Sequence, residues 1–217
     1  MKKFVLTFFL ITVFVFGVFS QNGIIRELTG DVDLKPAGAA AFVRASAGET
    51  IALNTIVSTG FRSTAVIEVG SSLITVRPLT RLSLAEIQRM DNAENVNLNL
   101  QAGRVRVDVT PPTGSRANVT VRSPSATASV RGTSFEFDTI NLTVDEGIVI
   151  FSGNSGSAVI VAAGAGSYVG IEGSSANPAE VVAMLLLPQS PVGTPSPDIL
   201  SQTTDSALVN VDWEIRF

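Results

Sequence analysis

Arg131, Gly132 and Thr133 follow one another at the point where a run of small residues gives way to a Phe135-x-Phe137 alternation. An exposed guanidinium at such a turn could grip an anion or a partner carboxylate in a two-pronged fork. The other groups able to do chemistry are few. Asp145-Glu146 and Asp31-x-Asp33 are the best carboxylate pairs, and glycoside hydrolysis needs two carboxylates facing each other across a cleft. Neighbours along a strand point to opposite faces, so Asp145 and Glu146 cannot share one substrate. Acids at turns commonly serve as turn formers. Residues 164–170, Gly-Ala-Gly-Ser-Tyr-Val-Gly, imitate part of a dinucleotide fingerprint, but the spacing is off and a strand rather than a helix follows. The chain has no His and no Cys. That removes Ser-His-Asp triads, Cys-His dyads and imidazole or thiolate zinc sites. No catalytic, cofactor-binding or metal-binding residue is expected, and the chain reads as a non-enzyme.

Charge and hydropathy narrow the setting. Lys2 and Lys3 precede an apolar run of about 15 residues that closes on Val18-Phe19-Ser20. A charged start, a short apolar core and a small residue before a polar one make a secretory signal peptide over residues 1–20. The run falls short of the ~20 residues a membrane helix needs, so no stable span is expected after cleavage. The remaining chain would carry 13 basic and 19 acidic residues, a net charge of −6. Such a balance argues against nucleic acid, whose phosphates need clustered positive charge. With no disulfide framework available, an exported domain must rest on its core alone.

From residue 24 the pattern is strand, turn, strand. Val96, Leu98 and Leu100 fall on one face with Asn95, Asn97 and Asn99 on the other, and Val105, Val107 and Val109 follow a glycine turn. Such period-2 alternation marks half-buried strands. Residues 79–90 read as a strand rather than a short helix. Polar breaks at 88–95 and 110–118 read as loops. A glycine followed by alternating apolar residues recurs at Gly30, Gly103 and Gly147 at irregular spacing. The expected fold is all-β, a single domain of many short strands in a twisted β-solenoid-like or sandwich arrangement. The domain is expected over 21–173. A Pro/Ser/Thr-rich linker with a short apolar segment is expected over 174–206, and a terminal β-strand over 207–217, where Val209, Val211, Trp213, Ile215 and Phe217 alternate.

These residues also carry a resemblance. Thr59-Gly60-Phe61-Arg62-Ser63 is followed by Val96-x-Leu98-x-Leu100-x-x-Gly103-x-Val105-x-Val107. Next comes Ser123-Pro124-Ser125-Ala126-Thr127-Ala128-Ser129-Val130-Arg131-Gly132-Thr133-x-Phe135, and then Val144-Asp145-Glu146-Gly147-x-Val149. In that order, over roughly residues 28–170, the chain resembles the FecR domain family of bacterial extracytoplasmic proteins. The resemblance implies an all-β domain in a periplasmic or secreted setting. It does not carry over the anti-sigma function, because the apolar segment at the extreme N-terminus leaves nothing to hold a sigma factor. Ser123-Pro124 stands where the family usually has Thr-Pro.

The family signature residues Gly60, Gly103, Arg131, Gly132, Thr133, Phe135, Glu146 and Gly147 are expected to be structural. Gly132 would supply a turn conformation, Thr133 would start a strand, and Phe135 and Phe137 would face the core. Arg131 and Glu146 would form a partly buried ion pair, whose disruption would cost ~3–5 kcal/mol. The expected function is that of an exported envelope protein acting without catalysis through protein–protein contact, as sensor, adaptor or scaffold. Its partner would be another envelope protein. The alternative is a module binding an envelope polysaccharide or other ligand, although exposed aromatics, the common sugar platform, are scarce.

Overall fold

The computed structural model describes residues 22–186, except Asp91 and Pro112. The expected signal peptide, the linker beyond residue 186 and the terminal strand lie outside the described residues.

Among the described residues seventeen strands form two large open sheets. The chain enters the first sheet with β1 (Gly23–Thr29) and passes to the second with β2 (Val32–Lys35) and β3 (Val43–Arg44). It returns to the first for β4 (Thr50–Ile51) and crosses to the second for β5 (Ile56–Thr59). From there it alternates: a first-sheet hairpin of β6 (Thr64–Val69) and β7 (Ser72–Val76), then a second-sheet hairpin of β8 (Arg81–Met90) and β9 (Ala93–Ala102). Next come β10 (Val105–Val109) in the first sheet and the hairpin β11 (Arg116–Arg122) and β12 (Ala126–Arg131) in the second. The first-sheet hairpin β13 (Ser134–Asp138) and β14 (Asn141–Glu146), the second-sheet hairpin β15 (Ile148–Gly153) and β16 (Val159–Ala162), and β17 (Gly166–Tyr168) complete the series. The order is β17-β14-β13-β10-β7-β6-β1-β4 in the first sheet and β16-β15-β12-β11-β9-β8-β5-β2-β3 in the second. Almost every pairing is antiparallel; β9 and β11 run parallel, Val96 beside Val119 and Leu98 beside Val121.

The alternation explains the core. In β9 the odd-numbered asparagines Asn95, Asn97 and Asn99 face outward while Val96, Leu98 and Leu100 are buried, and in β10 Val105, Val107 and Val109 are buried. Period-2 spacing on facing sheets places one apolar set from each strand in a single layer between them. Phe137 of the first sheet meets Phe151 of the second edge-to-face, ring centroids 5.9 Å apart. Both are fully buried, as is Phe135.

The recurrent glycine marks the corner where the chain changes sheets. Gly103, Gly132 and Gly147 hold three such corners at φ between 67° and 87°. Other corners use Asn54, Arg62 and Leu79 at positive φ, so the device does not depend on glycine alone.

Most of residues 79–90 form a strand as expected, β8 starting at Arg81 after the corner at Leu79. The two long polar loops are corrections. β8 runs to Met90 and β9 starts at Ala93, so the break at 88–95 shrinks to a tight turn. β11 begins at Arg116, inside the expected loop 110–118. The apolar segment of the expected linker begins as a helix, α1 (Pro178–Leu186). Its start follows helix-capping rules: the Asn177 side chain accepts from the Ala179 amide at 3.1 Å, Pro178 leads, and Glu180 lies in the first turn.

Candidate functional site

The Arg131–Thr133 stretch is a corner between sheets. Arg131 ends β12 and is exposed; Gly132 turns the chain at φ 67°; Thr133 is buried at 4% exposure and leads into Phe135. The Thr133 hydroxyl has no hydrogen-bond partner among the described residues. The expected Arg131–Glu146 ion pair is absent. Both side chains are exposed and no ion pair joins them among the described residues. Outward-facing groups in water gain little by pairing, so nothing draws them together. Arg131→Ala is therefore expected to leave the melting temperature unchanged, within about 0.5 kcal/mol of stability, in thermal denaturation followed by circular dichroism.

A different contact links the two motifs. A Cβ on Gly147, at φ 79°, would lie 2.4 Å from Thr133 Cγ2. Gly147 thus allows its corner to press against the neighbouring one. Gly103 does the same against Thr80, whose Cα would be 2.5 Å from an added Cβ. Gly60 lies between β5 and β6, donating its amide to the Asp31 carbonyl at 2.8 Å, while the positive φ in that turn belongs to Arg62.

Sequence reasoning missed Glu94, which sits at an inward position of β9 and is buried at 7% exposure. Its carboxylate accepts from the Ser71 amide at 2.9 Å, the Ser71 hydroxyl at 3.0 Å and Arg89 Nη2 at 2.8 Å. Burial opposes its ionisation, but the Ser71 and Arg89 hydrogen bonds outweigh burial and hold it below the usual carboxylate value. A carboxylate depressed on folding stabilises the fold above its unfolded value, and that contribution is lost as pH falls through the folded value. Glu94→Gln is expected to melt lower than the native protein near neutral pH, with the gap closing below about pH 4; thermal melts across pH would show it.

The outer face of the first sheet gathers a lattice of charge that no local motif announced. Arg77 on the β7–β8 connection, Arg104 ahead of β10 and Arg106 within it lie among Asp108, Glu136, Asp138 and Asp145. Glu136 holds Arg77 and Arg104, each at 3.2 Å. Asp138 holds Arg104 at 3.0 Å. Arg106 meets Asp145 at 2.5 Å and Asp108 at 3.3 Å. Ser134 donates to Asp108 and accepts from Arg106. The hydrogen bond to Asp138 is the main reason that Arg104 titrates above its ordinary value; for Arg106, burial opposes the charge and is outweighed by Asp145 and Asp108. These half-exposed pairs contribute little stability, ~0–1 kcal/mol each. Their main effect is to fix an alternating pattern of charge. A shallow depression of about 760 Å³ opens beside them, rimmed by Leu79 and Ile140, which are 63% and 41% exposed.

Among the described residues no group of three or more Asp and Glu side chains could hold a metal ion. No helix among them is long and apolar enough to cross a membrane.

The strand order and the corner signatures can now be set beside known proteins. The family model described as FecR protein matches residues 55–167, just over half of the chain. The chain belongs to the FecR protein family. Every signature residue named from the sequence lies within the match. No curated protein matches the chain. Among solved structures, two crystal structures of a candidate anti-sigma factor from Parabacteroides distasonis ATCC 8503 are similar. The first has 15% identity and a TM-score of 0.46, covering 60% of this chain and 64% of that one. The second has 16% identity and a TM-score of 0.47, covering 61% and 65%. This FecR-family chain thus spans just under two thirds of each.

Proposed function

We propose that this FecR-family protein is an exported envelope component, periplasmic or secreted, that works without catalysis through contact with another envelope protein. The sensor, adaptor or scaffold roles share that mechanism. Family membership supports a regulatory setting. The observation that carries the reading is the first sheet's outer face, where the depression beside Arg77, Arg104, Glu136 and Asp138 leaves Leu79 and Ile140 exposed. Apolar anchors beside fixed charges are what a protein segment recognises, the apolar groups giving affinity and the charges giving register. The carboxylates there are each bound to an arginine, which leaves none poised as a general base.

A photo-crosslinking residue in place of Leu79, in the full chain in its native envelope, tests the proposal. A defined protein adduct is expected, and it should disappear when Ile140 is also changed to Asp. Absence of any adduct, or an adduct indifferent to Ile140→Asp, would overturn contact through this face. The second reading, a module for an envelope polysaccharide, is favoured by the outer face of the second sheet.

A further inference from the structure

One part of the second sheet leaves its outward arginines unmatched, although Arg44 and Arg89 elsewhere in that sheet pair with Asp31 and Glu94. On the first, Arg77, Arg104 and Arg106 are each held by carboxylates. On the second, Arg116 and Arg122 of β11 and Arg131 of β12 are exposed and take part in no ion pair among the described residues.

The strand register arranges their surroundings as a grid. Across β9, β11 and β12 the rows read Asn95, Asn118, Arg131; Asn97, Thr120, Ser129; and Asn99, Arg122, Thr127. Inward neighbours such as Val119, Val121, Ala128 and Val130 are buried, so the grid residues project outward. With columns ~4.8 Å and rows ~6.6 Å apart, Arg122 and Arg131 stand roughly 14 Å from each other. Amides and hydroxyls fill the space between, some already paired across strands, Asn118 with Asn95 at 2.8 Å and Thr120 with Ser129 at 3.3 Å. Glu86 sits at the margin, accepting from Asn97 at 2.7 Å; no carboxylate lies within the grid. On the other side Ser129 adjoins Ile150, which adjoins Ile160.

The geometry points to a binding face for an acidic polysaccharide, deepening the second reading above and independent of the first sheet's protein contact. Uncompensated guanidiniums match carboxylates bidentately. Asparagine, serine and threonine offer both donors and acceptors, as ring hydroxyls require, and the exposed isoleucines offer an apolar margin to the C–H faces of sugar rings. Nucleic acid fits less well, because the grid holds no aromatic ring on which bases could stack. A folded protein partner fits less well too, since the centre of the grid holds only short polar side chains and no aromatic anchor.

Titration of the full chain with polygalacturonate tests the inference, with neutral dextran, duplex DNA and anionic phospholipid vesicles as comparisons. Polygalacturonate is expected to bind at low ionic strength and weaken as salt rises, while dextran does not bind. Arg122→Ala with Arg131→Ala should lower affinity at least tenfold, and Arg26→Ala, on the other sheet, should leave it unchanged. Ser129→Glu, which places a carboxylate at the centre of the grid, should abolish binding without removing any arginine. Circular dichroism melts matching the native protein would show that both variants are folded. No binding of polygalacturonate, equal binding of dextran, binding that survives both variants, or a preference for DNA or vesicles would overturn the inference. None of these outcomes bears on crosslinking at Leu79, so the two proposals fail separately.

Discussion

Phe137→Ala is expected to cost about 3–5 kcal/mol of folding stability. The ring is fully buried and meets Phe151 of the other sheet edge-on. Truncation removes apolar area from the layer that joins the sheets and leaves a cavity between two hydrogen-bonded frameworks. Strands pinned by their ladders on both sides have little freedom to collapse into it. A chemical denaturation midpoint measures the loss. A cost below about 1 kcal/mol would mean that the sheets can close over the gap.

Gly147→Ala is expected to be the second most damaging change. Its φ of 79° would cost an L-residue about 1–2 kcal/mol. The new Cβ would also press on Thr133 Cγ2 at 2.4 Å, and overpacking of this kind costs about 1–3 kcal/mol. The two contributions can be separated. Thr133→Ser deletes the clashing methyl and leaves the backbone strain, so the double variant should recover the packing share alone. A double-mutant cycle read by thermal melts should therefore show coupling. Simple additivity would mean that the corners do not press on each other.

Some of these features are legible in the residues themselves and others are not. The alternation of Asn95, Asn97 and Asn99 against Val96, Leu98 and Leu100 revealed both strand and face, because period 2 is a local signal. The VRGT stretch was readable as a turn leading to core phenylalanines. The partner of that turn was not, since Arg131 and Glu146 catch the eye as opposite charges while the contact that exists, a glycine against a methyl, carries no chemical mark. The turn between Met90 and Ala93 looks longer in the sequence than it is for a similar reason. Glu94 occupies an inward position, and a buried acid reads as an interruption of the apolar face rather than part of it. At the start of β11, Ala117 points inward but is too small to signal burial. The charge lattice and the cationic grid lie beyond any local pattern, because each depends on which strands stand side by side rather than on spacing along one strand. Arg77 and Glu136 meet only after β10 has been laid between β7 and β13.

The alternating course of the chain has a kinetic side. Among the described residues no strand pairs with one more than five strands away in sequence. A molecule woven in that way grows like a zipper, each new hairpin finding a template already in place, and such sequence-local assembly favours fast folding for an all-β chain. It should also open like one. Amide protons near β3 and β4 at one end, and near β16 and β17 at the other, should exchange sooner than those of β7, β9, β10 and β11 in the middle.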